Sequence, residues 1–402
     1  MGPMNLYFDV RDIFRAPRLA LSGKKIWIMF IANIIGFVIY WILTMISLIV
    51  AGLPLGEAIS RYGLYPCLVG YGGNVFAYII WIVGLLAWLV ALLLACTAVA
   101  RVTYKQLKGD EFYSSGDAWK YVKKHWHAAV FTHLSIVIIA LFFVVLAVIF
   151  ALIGKIPYFG ELFVGIPYLL WFCGSLFVVY TVIVLIVSIF FTHAIVATLE
   201  EDTMGAVFQN YSITWSQPWR MVLYLILTYS LIGAGVLVFG YFMVMSYSLF
   251  TQLFGHDLLM GMKLSNMVGW ASQIVLPNCS SIACTSIPDV PTSLGPMEYV
   301  GGFFIAISLF FINVVVLSYA LSIQVVAETT AIIIFKKKSD DENLLERKDE
   351  EELEVEEEKE TEWETDSSEE TSDETETAQE AVEDTDKEVT ETDTDSSEEK
   401  DT

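Results

Sequence analysis

The sequence predicts an all-α integral membrane protein: six transmembrane helices in three hairpins, each introduced by an amphipathic interfacial helix, and a disordered acidic tail. Three observations carry that reading. The mean hydropathy is +0.59 with 55% hydrophobic residues, far too apolar for a water-soluble chain of 402 residues. The formal charge of -23 looks discordant until the chain is divided at Ser339: residues 339–402 hold 32 of the 46 acidic residues and 5 of the 23 basic ones, net -27, which leaves +4 for residues 1–338. The third observation is a lead-in pattern that recurs three times.

Its clearest copy runs from Gly205 to Arg220, where Phe208 and Trp215 stand seven residues apart and share a helical face. Trp119 and Trp126 repeat the spacing, as do Tyr7 and Phe14, and Pro17 follows Phe14 as Pro218 follows Trp215. Two apolar segments separate consecutive copies.

In chain order, the lead-in occupies 1–25. Residues 5–16 are expected to form one helix with Val10, Ile13 and Phe14 on one side and Arg11 and Arg15 on the other, ended by Pro17. The apolar run after it is too long for a signal-peptide core. The transmembrane domain, 26–335, holds apolar runs at 26–52, 75–100, 129–153, 168–198, 221–249 and 303–335. Each exceeds the ~20 residues that a bilayer requires, and backbone groups in lipid must bond within their own segment, so all six are expected as helices. Arg11, Arg15, Arg18, Lys24 and Lys25, then Arg101 to Lys124, then Lys336–Lys338 crowd one side, while the other side holds Arg61, Lys155 and Lys263. The positive-inside rule then puts both termini in the cytoplasm of a multi-pass cell-membrane protein.

On the outer side, 251–302 forms a long loop whose half-apolar stretch, Leu258 to Leu276, is expected as an interfacial helix, with a re-entrant or seventh spanning segment as the alternative. Val69-Gly70-Tyr71-Gly72 resembles a potassium-channel filter, but Leu68 and Gly73 stand where that family has Thr and Asp, and Pro66, Gly63 and Arg61 interrupt any pore helix; a glycine-rich turn is the expectation. Cys96 and Cys173 read as fillers of apolar helices. Cys279 and Cys284 are placed to close a small disulfide loop, and a bridge from Cys67 to either one is the competitor.

One constellation points to chemistry. In the last apolar run Asn313, Gln324 and Glu328 share a face, and His193, His133 and Arg101 fall at comparable cytoplasmic depth. A carboxylate within a membrane helix is costly and faces protein or water, which makes a cytoplasm-facing polar cavity around Glu328, paired to His193 or Arg101, the candidate site. Structural bridging and snorkelling explain the same residues without function. His125 and His127 face different sides of a helix and make no metal pair. No His-Glu-x-x-His, phosphate-loop or nucleophile-elbow motif is present, so no enzyme activity, cofactor or metal is expected. Asp110, Glu111 and Glu200-Glu201-Asp202 read as solvated charges at turns and helix ends. Gly233, Gly235, Gly240, Ala32 and Gly36 read as sites of close helix packing.

From 336 to 402 a basic stop precedes the acidic tail, whose few apolar residues, Leu344 and Leu345 among them, do not offset chain entropy, so disorder is expected. Its charge suits a basic protein or divalent cations and repels nucleic acid and anionic lipid.

The Gly-x-x-Phe…Trp…Pro-Trp-Arg lead-ins to repeated hairpins resemble uncharacterised polytopic membrane proteins of bacteria and archaea, including the membrane module fused to some glycerophosphodiester phosphodiesterases. Over residues 1–338 this resemblance implies a fold type, with no catalytic residues and no soluble catalytic domain attached. Two functions are then expected: a non-enzymatic membrane scaffold that presents an acidic cytoplasmic tail, or a small-solute or ion transporter that uses the polar face of the last helix. Sparse ionisable content in the first, second and fifth helices favours the scaffold.

Overall fold

The computed structural model describes residues 4–276, 294–353 and 356. Among these, every regular element is helical. The chain divides into two compact units, Met1–Glu346 and Arg347–Thr402.

The first unit runs α1 Val10–Ile13, α2 Ala16–Ala20, α3 Gly23–Val50, α4 Leu55–Tyr62, α5 Val75–Lys108, α6 Ser115–Ile153, α7 Phe159–Gly165, α8 Tyr168–Leu199, α9 Thr203–Ser216, α10 Pro218–Phe254, α11 Met262–Val275 and α12 Pro296–Ser339. Six of them, α3, α5, α6, α8, α10 and α12, are long and apolar enough to cross a membrane. All but α3 extend beyond the apolar runs in at least one direction, because caps rather than hydropathy fix where a helix stops. The Asn74 side chain accepts from Ala77 N to open α5, and Gly109 at φ 101 closes it. Ser114 caps α6 and Asp202 caps α9 in the same way.

Helix α12 is the hub of this unit, touching α2, α3, α5, α8, α10 and α11. Its residues from Ser318 to Phe335 are buried almost without interruption. The most extensive pairing is α3 with α5, and α6 packs along α8. Outward faces carry exposed Ile, Val, Leu and Phe along most of the six long helices, as a helix in lipid requires. Of the glycines read as packing sites, Gly36 lies so near the Trp88 ring that a methyl group there would overlap it, and Gly235 sits against Ile323 and Tyr319. Nothing approaches Gly233 or Gly240. Ala32 is buried beside Ala95 and Val99.

The lead-ins depart from their expected form in two places. Residues 5–16 do not make one helix: α1 ends at Phe14, and Pro17 stands in the first turn of α2. A proline at a helix start removes only an amide that has no intrahelical partner, so Pro17 begins a helix instead of ending one. The second lead-in is continuous with its long helix, bent at His125 (φ -110, ψ 16). Only α9 is a separate helix, with Phe208 and Trp215 exposed, stopped at Gln217 before Pro218 opens α10.

At the end remote from the basic residues, Gly70 (φ 88) and Gly72 (φ 79) form a turn closed by Tyr71 N donating to Leu68 O at 3.1 Å. The left-handed backbone at both glycines makes this a glycine turn. The Leu258–Leu276 stretch yields α11, whose 14 residues span about 21 Å, too short to cross a bilayer core. It is not a freely exposed interfacial helix: Leu264, Val268, Ala271 and Val275 are buried, and Gly301 and Gly302 let α12 approach Met267 and Trp270 closely. Cys279 and Cys284 lie outside the described residues, as does nearly all of the tail from 354 onward.

The start of the tail is ordered, against the expectation for residues 339–346. Leu344 and Leu345 are buried in the main core with Ile13, Ala16, Tyr104 and Leu107, and the Tyr104 hydroxyl donates to Leu344 O at 2.8 Å. Two adjacent leucines reach an existing apolar surface here, which average composition cannot register. In the second unit, Lys348 pairs with Glu356 at 2.7 Å.

Candidate functional site

The polar residues of the basic end make two buried clusters instead of one cavity. In the first, α8 carries His193 and α12 carries Glu328 into their shared contact, where His193 Nε2 stands 3.1 Å from Glu328 Oε2. Both side chains are buried, 3% and 1% exposed. Gln324, one turn back on α12, donates from Nε2 to Glu328 Oε1 at 3.1 Å. The i, i+4 spacing that puts Gln324 and Glu328 on one face makes this bond possible. His193 Nδ1 finds no partner among the described residues. A carboxylate bonded on both oxygens is a satisfied acceptor, and the imidazole can supply the proton or charge that its burial demands.

The second cluster centres on Arg101 of α5, fully buried. Its Nη1 meets Glu200 Oε1 at 2.9 Å and donates to Ala197 O at 3.1 Å, and its guanidinium lies 4.2 Å from the Tyr121 ring centroid. The Tyr121 hydroxyl donates to Val196 O at 2.6 Å. Glu200 terminates α8 in the left-handed region, φ 58. This corrects the reading of Glu200 as a solvated helix-end charge. A guanidinium inside an apolar run needs a carboxylate, and Glu200 is the one that the fold delivers. Arg101 is therefore occupied away from Glu328.

The other candidates go elsewhere. His133 Nε2 meets the Ser188 carbonyl at 3.1 Å. Asn313 lies eleven residues before Gln324, about 16 Å along the helix, donates to Leu309 O in its own helix at 2.8 Å, and borders a separate cavity. Of the six candidates, Gln324, Glu328 and His193 meet, and Arg101, His133 and Asn313 do not join them. Among the described residues no group of three or more His, Cys, Asp or Glu is placed to hold a metal ion. No cavity is lined by Glu328 or His193 among those of the described residues.

Compared with protein-family models, curated proteins and solved structures, the chain matches none. The resemblance to prokaryotic membrane modules rests on the lead-in residues alone.

One buried cation escaped the sequence reading. Lys25, counted there among the basic loop charges, is fully buried and donates to Leu19 O at 3.0 Å and Gln106 Oε1 at 2.8 Å. Its ammonium satisfies a carbonyl at the end of α2 and ties the N-terminal segment to α5. The available signal was its place: Lys24 and Lys25 open an apolar helix, and only one of two neighbours can point to water.

At the same end Lys338 Nζ meets Asp9 Oδ1 at 2.6 Å. The hydrogen bond from Lys338, and then its charge, hold the Asp9 carboxyl below its usual value of 3.8. Because the folded-state value is depressed, the contact contributes fully above the usual value and is lost as pH falls through the depressed one. Hydrogen exchange of residues 4–13 is expected to rise between about pH 5 and about pH 2 relative to exchange in α5, with Asp9→Asn showing the raised level already at pH 5.

Proposed function

We propose that this chain is a multi-pass cell-membrane protein with three two-helix hairpins and both termini in the cytoplasm. We infer that it serves as a non-enzymatic scaffold whose packed body holds an acidic tail at a fixed point for a basic cytoplasmic protein or divalent cations. The distribution of lysine and arginine supports the orientation, and the contacts of α3 with α5, α6 with α8 and α10 with α12 support the pairing.

The single observation that carries the scaffold reading is the anchored root of the tail. Leu344 and Leu345 are buried, Tyr104 holds the Leu344 carbonyl, and Lys338 is tied to Asp9. A tail that serves only to keep the protein soluble needs no such anchor; a tail that recruits gains from a defined starting point, since tethering raises its local concentration at the membrane.

The test is co-purification from native membranes of the full chain, a form ending at Glu346, and a full-length Leu344→Asp variant. A partner recovered near stoichiometry with the full chain, lost on truncation and weakened in Leu344→Asp, is the expected result. Identical recoveries from all three overturn it. Burying an aspartate in place of Leu344 is also expected to cost about 2–4 kcal/mol of stability, read as thermal unfolding in detergent.

The buried His193–Glu328 contact favours a second reading, a small-solute or ion transporter in which that pair takes up and releases a proton. Proton flux into liposomes that is abolished by Glu328→Gln, with partner recovery unaffected, would select it over the scaffold.

A further inference from the structure

A second cavity, of about 400 Å³, lies between α3, α5 and α12 and is closed by the loop that follows α4. Its volume falls within the range of small-molecule sites. Five aromatic side chains, Phe37, Tyr40, Tyr65, Trp88 and Phe310, form most of its wall. Two of them are already committed as donors, Tyr40 to Pro66 O at 2.8 Å and Tyr65 to Val275 O at 2.9 Å, which fixes the wall in place. No lysine, arginine, aspartate or glutamate lines it.

Its polar groups are unusual for a cavity that only fills space. Asn33 is 2% exposed; its Nδ2 donates to Met29 O at 2.9 Å, and its Oδ1 has no partner among the described residues. Trp88 Nε1 is likewise buried without a partner. Asn313 of α12 adds a second amide. A buried acceptor and a buried donor left open in an apolar chamber are each costly, and a single hydroxyl or amide satisfies both, donating to Asn33 Oδ1 and accepting from Trp88 Nε1.

We propose that this cavity binds an uncharged amphiphile, an apolar chain carrying one hydroxyl or amide head, with the head held by Asn33 and Trp88 and the chain against the aromatic wall. A charged head is excluded because nothing in the wall would pair with it. The proposal is independent of the tail and of Glu328.

Cys67 lines the same cavity and reports on its occupancy, and Cys173 on α8 serves as a reference thiol in the same molecule. The full chain in phosphatidylcholine nanodiscs is treated with a small maleimide in the presence of 1-decanol, decane or decanoate, and modification is read by peptide mass spectrometry. In parallel, solvent extracts of the purified protein are searched for lipids. The expected result is one of two: decanol slows Cys67 labelling at least fivefold and decane or decanoate much less, with Cys173 unchanged; or the extract already holds an uncharged hydroxyl or amide lipid near one per chain. The first marks a site open to added ligand, the second a site filled from the membrane. Asn33→Leu and Trp88→Phe should each reduce the protection, or the bound lipid, several-fold while leaving the reference thiol and the unfolding temperature near wild type. Equal protection by decanol and decane overturns the proposal, as does an extract without such a lipid combined with no protection. Unchanged binding in both variants overturns it as well.

Discussion

Replacing Arg101 by methionine lowers the stability of the purified protein by about 3–5 kcal/mol, and replacing it by lysine recovers little of that loss. Three contacts go at once: the ion pair with Glu200, the hydrogen bond to Ala197 O, and the stacking on Tyr121. Methionine fills much of the volume, so the loss reports the missing charge more than a cavity. Lysine keeps the charge but is a compact point donor. It cannot meet Glu200 and the Ala197 carbonyl from one plane while lying over the Tyr121 ring. The measurement is thermal or denaturant unfolding in detergent at neutral pH. Losses below about 1 kcal/mol in Arg101→Met would show that the cluster is dispensable to the folded state.

The second large effect is expected at Glu328. Glu328→Ala should cost about 3 kcal/mol, at the lower end for a broken buried pair, because His193 is able to shed its charge once the carboxylate is gone. Glu328→Gln keeps the shape and one acceptor oxygen, and should cost less than half as much. A double-mutant cycle with His193→Phe isolates the pair, and the expected coupling is about 1–3 kcal/mol. Additive losses would mean that His193 and Glu328 contribute separately, and the buried contact would then explain neither stability nor proton uptake.

Much of the fold was legible in the sequence because the physics involved is local. Apolar runs longer than a bilayer core have to be helices, and six were found where the runs stand. What escaped depends on partners far apart in the chain. Pro17 is read correctly only once α1 is seen to stop at Phe14, and Leu344 and Leu345 look stranded among acids until Tyr104 is placed beside them. The site was half legible. Helical periodicity put Gln324 and Glu328 on one face, and inferred depth brought His193 level with them. Depth alone gave no azimuth, so Arg101 and His133, at similar heights, were grouped with Glu328 although they face other neighbours. Asn313 shares the face but not the height. The amide cavity was invisible because Asn33 and Trp88 each look ordinary within their own helix, and only their convergence leaves two polar atoms open.

The two ends of the chain meet at the basic end. Tyr319 of α12 donates to Pro17 O across 302 residues, and Lys338 reaches Asp9 across 329. Synthesis delivers these partners in the worst order, since the first segment to leave the ribosome packs against the last helix to be made. Until α12 arrives, α1 and α2 have no apolar surface of the right shape to settle on, and the closing of such distant contacts comes late in folding. A chain cut short before α12 would therefore display an unburied N-terminal segment, so that completeness of the last helix is written into the exposure of the first one.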